Sequence, residues 1–355
     1  MALERVGTLV IGGGQAGLAV GYHLQRLDLP FLIVDAGDRI GDTWRRRWDS
    51  LRLFTANRHN ALPGMPFLGP SNAFPAKDEV ADYLRAYAER WELPVRHGVA
   101  VTRLSKRGEL FLATSDDHEF EAEHVVVSMG SYQLPKIPAF AEDLDPAIVQ
   151  LHSSGYRRPS QLQEGGVLVV GAGNSGFEIA LDAADGHPTW LSGRSHTWLA
   201  WHPDSSLGVL IETVTWFVGH RLLTLGTPIG RVVGARLSPR SGGPVRWVKP
   251  RDIKAAGVER VARVMGTSHG LPLLENGRVL DVANVIWCTG HRTDFSWIDL
   301  PVLEDGRPAH ERGIVAGQPG LYFVGLFFQY SITSSLLGGV GRDAEHVVRA
   351  IAARL

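Results

Sequence analysis

The sequence predicts an α/β protein built from two Rossmann-like dinucleotide-binding domains, the second inserted in the first. Three observations predict it. Two glycine-rich turns, Gly12-Gly13-Gly14-Gln15-Ala16-Gly17 and Gly171-Ala172-Gly173-Asn174-Ser175-Gly176, each follow an apolar run, residues 8–11 or 167–170. Eighteen residues past the third glycine, one copy has Asp35 and the other Arg194. Two more apolar runs, 125–130 ending in Met-Gly and 285–290 ending in Thr-Gly, flank the segment that carries the second turn. The expected division is residues 1–154 plus 281–355 for the first domain and 155–280 for the second.

Bulk properties agree with this plan. At 355 residues the chain exceeds one ordinary core. An apolar content of 44% and a charged content of 21% belong to a globular protein in water. A net charge of −1 gives no global attraction to nucleic acid or to an anionic membrane, and neither is expected as a partner. Cys288 is the only cysteine, which excludes an internal disulfide and a Cys-x-x-Cys redox pair. The apolar N-terminus is interrupted by Glu4 and the first glycine turn, so it reads as a buried strand and not as a signal peptide. A cytoplasmic location is expected. Oligomeric state stays open.

The elements follow in order. Residues 7–36 form a strand, the glycine turn, a helix near 15–27 and the strand Phe31-Leu32-Ile33-Val34-Asp35. Phe74-Pro75-Ala76-Lys77-Asp78-Glu79 starts a helix with proline and early acids. Val80, Tyr83, Leu84, Tyr87 and Trp91 then lie on one buried face of it. Segments 99–105, 109–115 and 118–121 read as a β-meander with turns at Gly108 and Asp116-Asp117. A separate buried strand is expected at 125–130. The second βαβ unit begins near 165, and its strand Thr189-Trp190-Leu191 ends just before Arg194. Residues 203–250 are apolar from Leu207 to Leu225 but broken by Glu212, Gly219, His220 and Arg221. No uncharged run of ~18 residues exists there to span a membrane. Amphipathic helices packed over a cleft are one reading of this segment; an interfacial or tunnel-forming helix is the other. A strand at 321–325 and a glycine turn at 338–341 lead into a last helix, 342–353.

The turns carry the chemistry. Glycines allow a tight bend and a close backbone approach to pyrophosphate, and the helix N-terminus supplies free N–H groups. The residue ending the second strand meets the ribose 2′ position. A carboxylate there accepts from a hydroxyl, whereas a guanidinium suits a phosphate. Asp35 therefore points to a dinucleotide with a free ribose. Arg194 points to one with a 2′-phosphate, unless it is only a solvated surface charge.

Several segments taken together resemble the flavin-containing monooxygenases and the class B flavoprotein monooxygenases more broadly, especially their short bacterial members. These are Gly41-Asp42-Thr43-Trp44, Leu51-Arg52-Leu53, Val169-Val170 with the second glycine turn, Arg194-Ser195 and Trp287-Cys288-Thr289-Gly290. The resemblance implies FAD on Gly12, Gly14, Gln15, Ala16, Gly17 and Asp35, with Thr43 and Trp44 near the flavin. It implies NADPH on Gly171, Gly173, Asn174, Ser175, Gly176, Arg194 and Ser195. The glycine turn 338–341, with Gly339 and Arg342, resembles the family's last FAD contact. Val101 is expected on a strand whose backbone touches adenine. The family's linker motif is half present in residues 146–156: His152 and Tyr156 match, whereas Pro146 and Ile148 stand in place of phenylalanine and glycine. His152 and Tyr156 are the catalytic candidates, and a purely structural hinge role for His152 stays open. Tyrosine at 156, where Baeyer–Villiger enzymes of the class usually carry tryptophan, favours heteroatom oxygenation.

The implied activity is NADPH-dependent monooxygenation through a C4a-hydroperoxyflavin, with O₂ and a small nitrogen or sulfur nucleophile as substrates. A Baeyer–Villiger enzyme, an NADPH oxidase or reductase, and a non-enzymatic nucleotide-binding redox sensor are the alternatives. No metal is expected.

Overall fold

The computed structural model describes residues 3–194, 197–237 and 244–354. Two sheets organise them. The first has seven strands. Val95–Arg96, Phe31–Val34, Leu3–Ile11, Glu119–Val127 and Leu321–Phe323 run parallel in that order. Leu110–Thr114 and Arg103–Arg107 continue antiparallel beyond the first half of Glu119–Val127. The helix Gln15–Gln25 crosses between the first two strands, as the βαβ pattern requires.

The meander differs from expectation in two places. Its first strand starts at Arg103, not at 99. Residues 118–121 and 125–130 do not form separate strands. They belong to one nine-residue strand, Glu119–Val127. The merger has a pairing cause: residues 119–122 bond the antiparallel neighbour, 125–127 bond Leu321–Phe323, and Leu3–Ile11 runs alongside both halves. No backbone group along it needs a turn to be satisfied.

The second sheet has five parallel strands: Glu259–Val261, Thr189–Ser192, Val167–Val170, Asn284–Trp287 and Val149–His152. Two of them lie outside the expected bounds of 155–280. The sheet that carries the second turn thus draws on chain from both sides of the anticipated insertion. Val167–Val170 and Asn284–Trp287 are buried at every position, the pattern of a parallel strand covered on both faces.

Alternation along the strands sorts the core. Val10, Ile33 and Val126 pack with Leu18, Tyr87 and Val347 on one face of the first sheet. Leu9, Val125 and Phe323 pack with Phe111 and Phe120 on the other. In the second sheet, Val169 and Ile286 face Phe177 and Tyr156, while Leu168, Val170 and Val285 face the opposite side. Each such aliphatic side chain contributes about 1.5–3 kcal/mol by burial.

The segment that was hardest to read forms a helical hairpin. Helix Ser206–Phe217 is capped by the Ser205 hydroxyl, which accepts from Gly208 N (3.1 Å). It runs through a wide turn, Val218–Leu222, toward helix Pro228–Arg236. That second helix is capped by Thr227, with proline at its first position. Among the described residues no helix is long and apolar enough to cross a membrane.

Candidate functional site

The two glycine turns have the same construction. Gly12 and Gly171 sit at φ +109° and +111°, a region that side chains avoid. Gly17 and Gly176 press on the turn: a Cβ would lie 1.9 Å from Gly12 O or 1.7 Å from Gly171 O. Gly14 and Gly173 have nothing within 4 Å of a built Cβ. They open outward and form the N-caps of helices Gln15–Gln25 and Asn174–Ala183, neither with an acid in its first turn. The outer and inner glycines therefore serve packing, and the middle one leaves a cradle over free helix N–H groups. That is the shape a pyrophosphate needs.

Asp35 ends the second strand of the first unit. Its Oδ2 accepts from Gly13 N at 2.5 Å and its Oδ1 from Gly37 N at 2.7 Å. The carboxylate thus faces the turn, with further lone pairs for ribose hydroxyls. Val101 is not in a strand; it lies in the loop before Arg103. That loop nonetheless runs beside Asp35, because Gly98 N and Val99 N donate to Gly37 O and Asp35 O.

Arg194 is exposed at the matching position of the second unit. Gly193, at φ +145°, brings the backbone against Ala172 N. Ser195 lies outside the described residues. Sequence reading missed Arg260 here: its guanidinium donates to Gly193 O (3.0 Å) and covers the Phe177 ring. Only the parallel pairing of Leu191 with Arg260 brings this second cation to the same edge. Asn174 is committed to the protein, bonding Pro244 O and Arg246 N. The Ser175 side chain is half-buried.

Gln15 donates to Ser335 O (2.9 Å), tying the first helix to the last segment, and Ala16 packs under Gly325. The glycine turn 338–341 is explained by neighbours. A Cβ at Gly338 would meet His59 O, at Gly339 Thr333 O, and at Gly341 the Pro63 ring. Arg342 donates to His220 O (2.8 Å) and Ser331 Oγ (2.7 Å), with its guanidinium over Tyr330. Its side chain therefore braces the helical hairpin. Thr43 is exposed and Trp44 is half-buried against the first core.

The two linker candidates part company. His152 ends its strand with both ring nitrogens engaged. Ser154 N donates to Nδ1 (3.2 Å), so Nε2 carries the proton and donates to Gly290 O (3.0 Å). Burial holds the ring below the usual histidine pKa; the Gly290 carbonyl opposes this and Arg47 adds to it. His291 packs edge-on at 4.8 Å and is pushed down to about 4 by burial, then by His152 and Arg47. His291 gave no usable sequence signal; Arg47 belongs to the run Arg45-Arg46-Arg47, whose sequence suggests phosphate contacts or a solvated face. Tyr156 is fully buried, and its hydroxyl donates to Asp182 Oδ2 at 2.8 Å. This hydroxyl is thus placed in the second core and tied to the helix Asn174–Ala183.

A further cluster joins the hairpin to residues 56–60. Glu212 accepts from Arg58 NH2 (2.6 Å) and from Ala56 N (3.3 Å). The rings of His59, Trp216 and His220 stack in sequence at 4.7 and 5.8 Å, and His220 Nδ1 meets Thr333 Oγ1 at 2.9 Å. Asn60 is satisfied by Thr55, while Asn57 keeps a buried Oδ1 without a partner among the described residues.

Two glycine cradles, one on a mixed sheet with Asp35 beside it and one on a parallel sheet with Arg194 at the matching position, have the form of a protein that holds two dinucleotides. The comparisons agree. The chain matches the family described as pyridine nucleotide-disulphide oxidoreductase over residues 9–216 and belongs to it. It is 41% identical over 351 residues to an uncharacterized CzcO-like oxidoreductase of Geobacillus kaustophilus, covering 98% of both chains. It is 35% identical over 345 residues to the uncharacterized oxidoreductase CzcO of Bacillus subtilis, covering 96% of this chain and 98% of that one. Among solved structures, the flavin-containing monooxygenase from Stenotrophomonas maltophilia superposes with a TM-score of 0.77 at 28% identity, covering 99% of each chain. The protein is a flavin-dependent oxidoreductase of the flavin monooxygenase kind. Its first cradle, with Asp35, fits FAD; its second, with Arg194, fits NADPH.

Proposed function

We propose that the protein is an NADPH-dependent monooxygenase that transfers one oxygen atom from O₂ to a small nitrogen or sulfur nucleophile. The observation that carries this reading is the pair of cradles, with Asp35 at one and Arg194 at the other, in a chain whose single thiol, the half-buried Cys288, has no second cysteine to pair with. Burial raises that thiol well above its usual range. Bound FAD supplies the redox and oxygen chemistry; the protein's part is to bind, orient and exclude water. Asp35 holds the FAD ribose end. Arg194, with Arg260 beside it, takes the 2′-phosphate of NADPH. His152 fixes the Gly290 carbonyl and so positions the loop after Trp287 at the mouth of the second cradle. The stacked His59–Trp216–His220 rings give the hairpin a rigid inner wall.

Tyrosine at 156 supports heteroatom oxygenation over Baeyer–Villiger chemistry. On this reading the preference acts through the seating of the linker by the Asp182 bond and not by touching substrate. The test is to supply NADPH and ¹⁸O₂ with a panel of amines, sulfides and ketones and to follow product mass. One ¹⁸O atom in an amine or sulfide product supports the reading. NADPH consumed with stoichiometric peroxide and no labelled product would overturn it, and a labelled ester from a ketone alone would favour the Baeyer–Villiger reading.

A further inference from the structure

The helical hairpin turns two different faces to its surroundings. Its inner face is polar and fixed: Glu212 is paired with Arg58, and Trp216 is stacked between His59 and His220. Its outer face is apolar. Leu207, Leu210, Val214 and Phe217 recur at steps of three, four and three residues on helix Ser206–Phe217, and all are exposed. Leu222, in the turn, and Ile229 and Val232, on the second helix, are exposed as well. Phe217 is 57% exposed and Ile229 68%. The stripe of four exposed apolar side chains on one helix, with three more following it in the same segment, marks a binding face.

Charge selects the occupant. Between Ser206 and Leu237 the exposed charged side chains are Arg221, Arg231 and Arg236, and the one carboxylate, Glu212, is turned inward. A second copy docked through this face would bring two sets of arginines together across a two-fold axis with no acid to meet them. An anionic surface meets them favourably, and exposed apolar side chains interspersed with arginine are the composition of a helix lying in a membrane interface. The hairpin is too short and too broken to span, which leaves the in-plane arrangement.

We propose that residues 206–236 form a membrane-docking face that seats the enzyme on an anionic lipid surface, with Leu210, Phe217 and Ile229 entering the headgroup layer and Arg221 and Arg231 on lipid phosphates. The net charge of −1 conceals this face because the acids that balance it lie elsewhere on the molecule.

The experiment is flotation of the FAD-loaded protein with vesicles of equal phosphatidylglycerol and phosphatidylcholine, and with phosphatidylcholine alone. The protein is expected to float with the anionic vesicles and to be released by high salt. Arg231→Gln is expected to lower the partition coefficient about fivefold, and Phe217→Ser at least tenfold. Bound-flavin absorbance reports that each variant is folded. Equal partition onto neutral vesicles would overturn the proposal. So would the absence of flotation on either vesicle, whether the protein is then a monomer or a dimer that Phe217→Ser splits.

Discussion

Asp35 and Arg194 occupy equivalent positions yet sit in different states of readiness. Asp35 is already bonded to two backbone N–H groups, while Arg194 extends into solvent. An exposed arginine gains its energy only when a phosphate arrives, on the order of 1.5–3 kcal/mol for a charge-assisted contact. Arg194→Ala is therefore expected to raise the KM for NADPH about tenfold to a hundredfold and to leave that for NADH nearly unchanged. Steady-state kinetics with both nucleotides checks this; parallel changes would remove Arg194 as the reader. Tyr156 makes the opposite kind of statement. Tyr156→Phe strips the donor from Asp182, whose carboxyl burial already pushes up. Unfolding in denaturant should show a loss of about 1–3 kcal/mol with kcat within about twofold of the parent. A fall in kcat at unchanged stability would return Tyr156 to the chemistry.

At the scale of elements, the contact between the two sheet units is partly a titrating one. Trp48 Nε1 donates to Glu178 Oε2 at 3.2 Å, joining the loop after Gly41 to helix Asn174–Ala183. Burial pushes the Glu178 carboxyl up to about 8, against an ordinary value of 4.5. The folded protein thus keeps a proton that the unfolded chain gives up above 4.5. The associated stability is complete below 4.5 and is lost as pH rises to about 8. Glu178→Gln retains the acceptor for Trp48 without the titration. Its melting temperature should pull ahead of the parent's as pH rises from 5 to 8 and then stay a constant distance above it. A gap independent of pH would sink the assignment. The helical hairpin shows how an element can hide from its sequence. Its sequence left open amphipathic helices over a cleft or an interfacial or tunnel-forming helix, and only the fold shows that Glu212 and Trp216 take the inner side while Leu210 and Phe217 face out.

Across the whole molecule, what was legible is what is local. Each glycine turn, its strand, its helix and its reader lie within about 30 residues, so spacing alone conveyed them. Pairing across the chain was not legible. Nothing in residues 146–156 announced that Val149–His152 would border Asn284–Trp287, and so the expected bounds of the second unit stopped short on both sides. Arg260 and His291 were missed for the same reason: each is brought to its neighbours by a sheet edge or a chain crossing. The duplication makes a molecule-wide prediction, because each turn fails by its own clash. Gly17→Ala is expected to yield colourless protein without flavin, while Gly176→Ala keeps its flavin and loses NADPH binding in titration. Loss of both nucleotides in either variant would show that the two units do not load separately. The copies differ in one further respect. Behind the first turn, the Ser128 hydroxyl lies 2.9 Å from both Ile11 O and Gly12 O, and Asp35 holds Gly13 N. At the equivalent place behind the second turn stands Cys288, which joins it by a backbone bond to Val170. The first cradle is held by more internal ties than the second. In the proposed enzyme this difference would favour a first nucleotide retained as a fixture and a second that exchanges at every turnover.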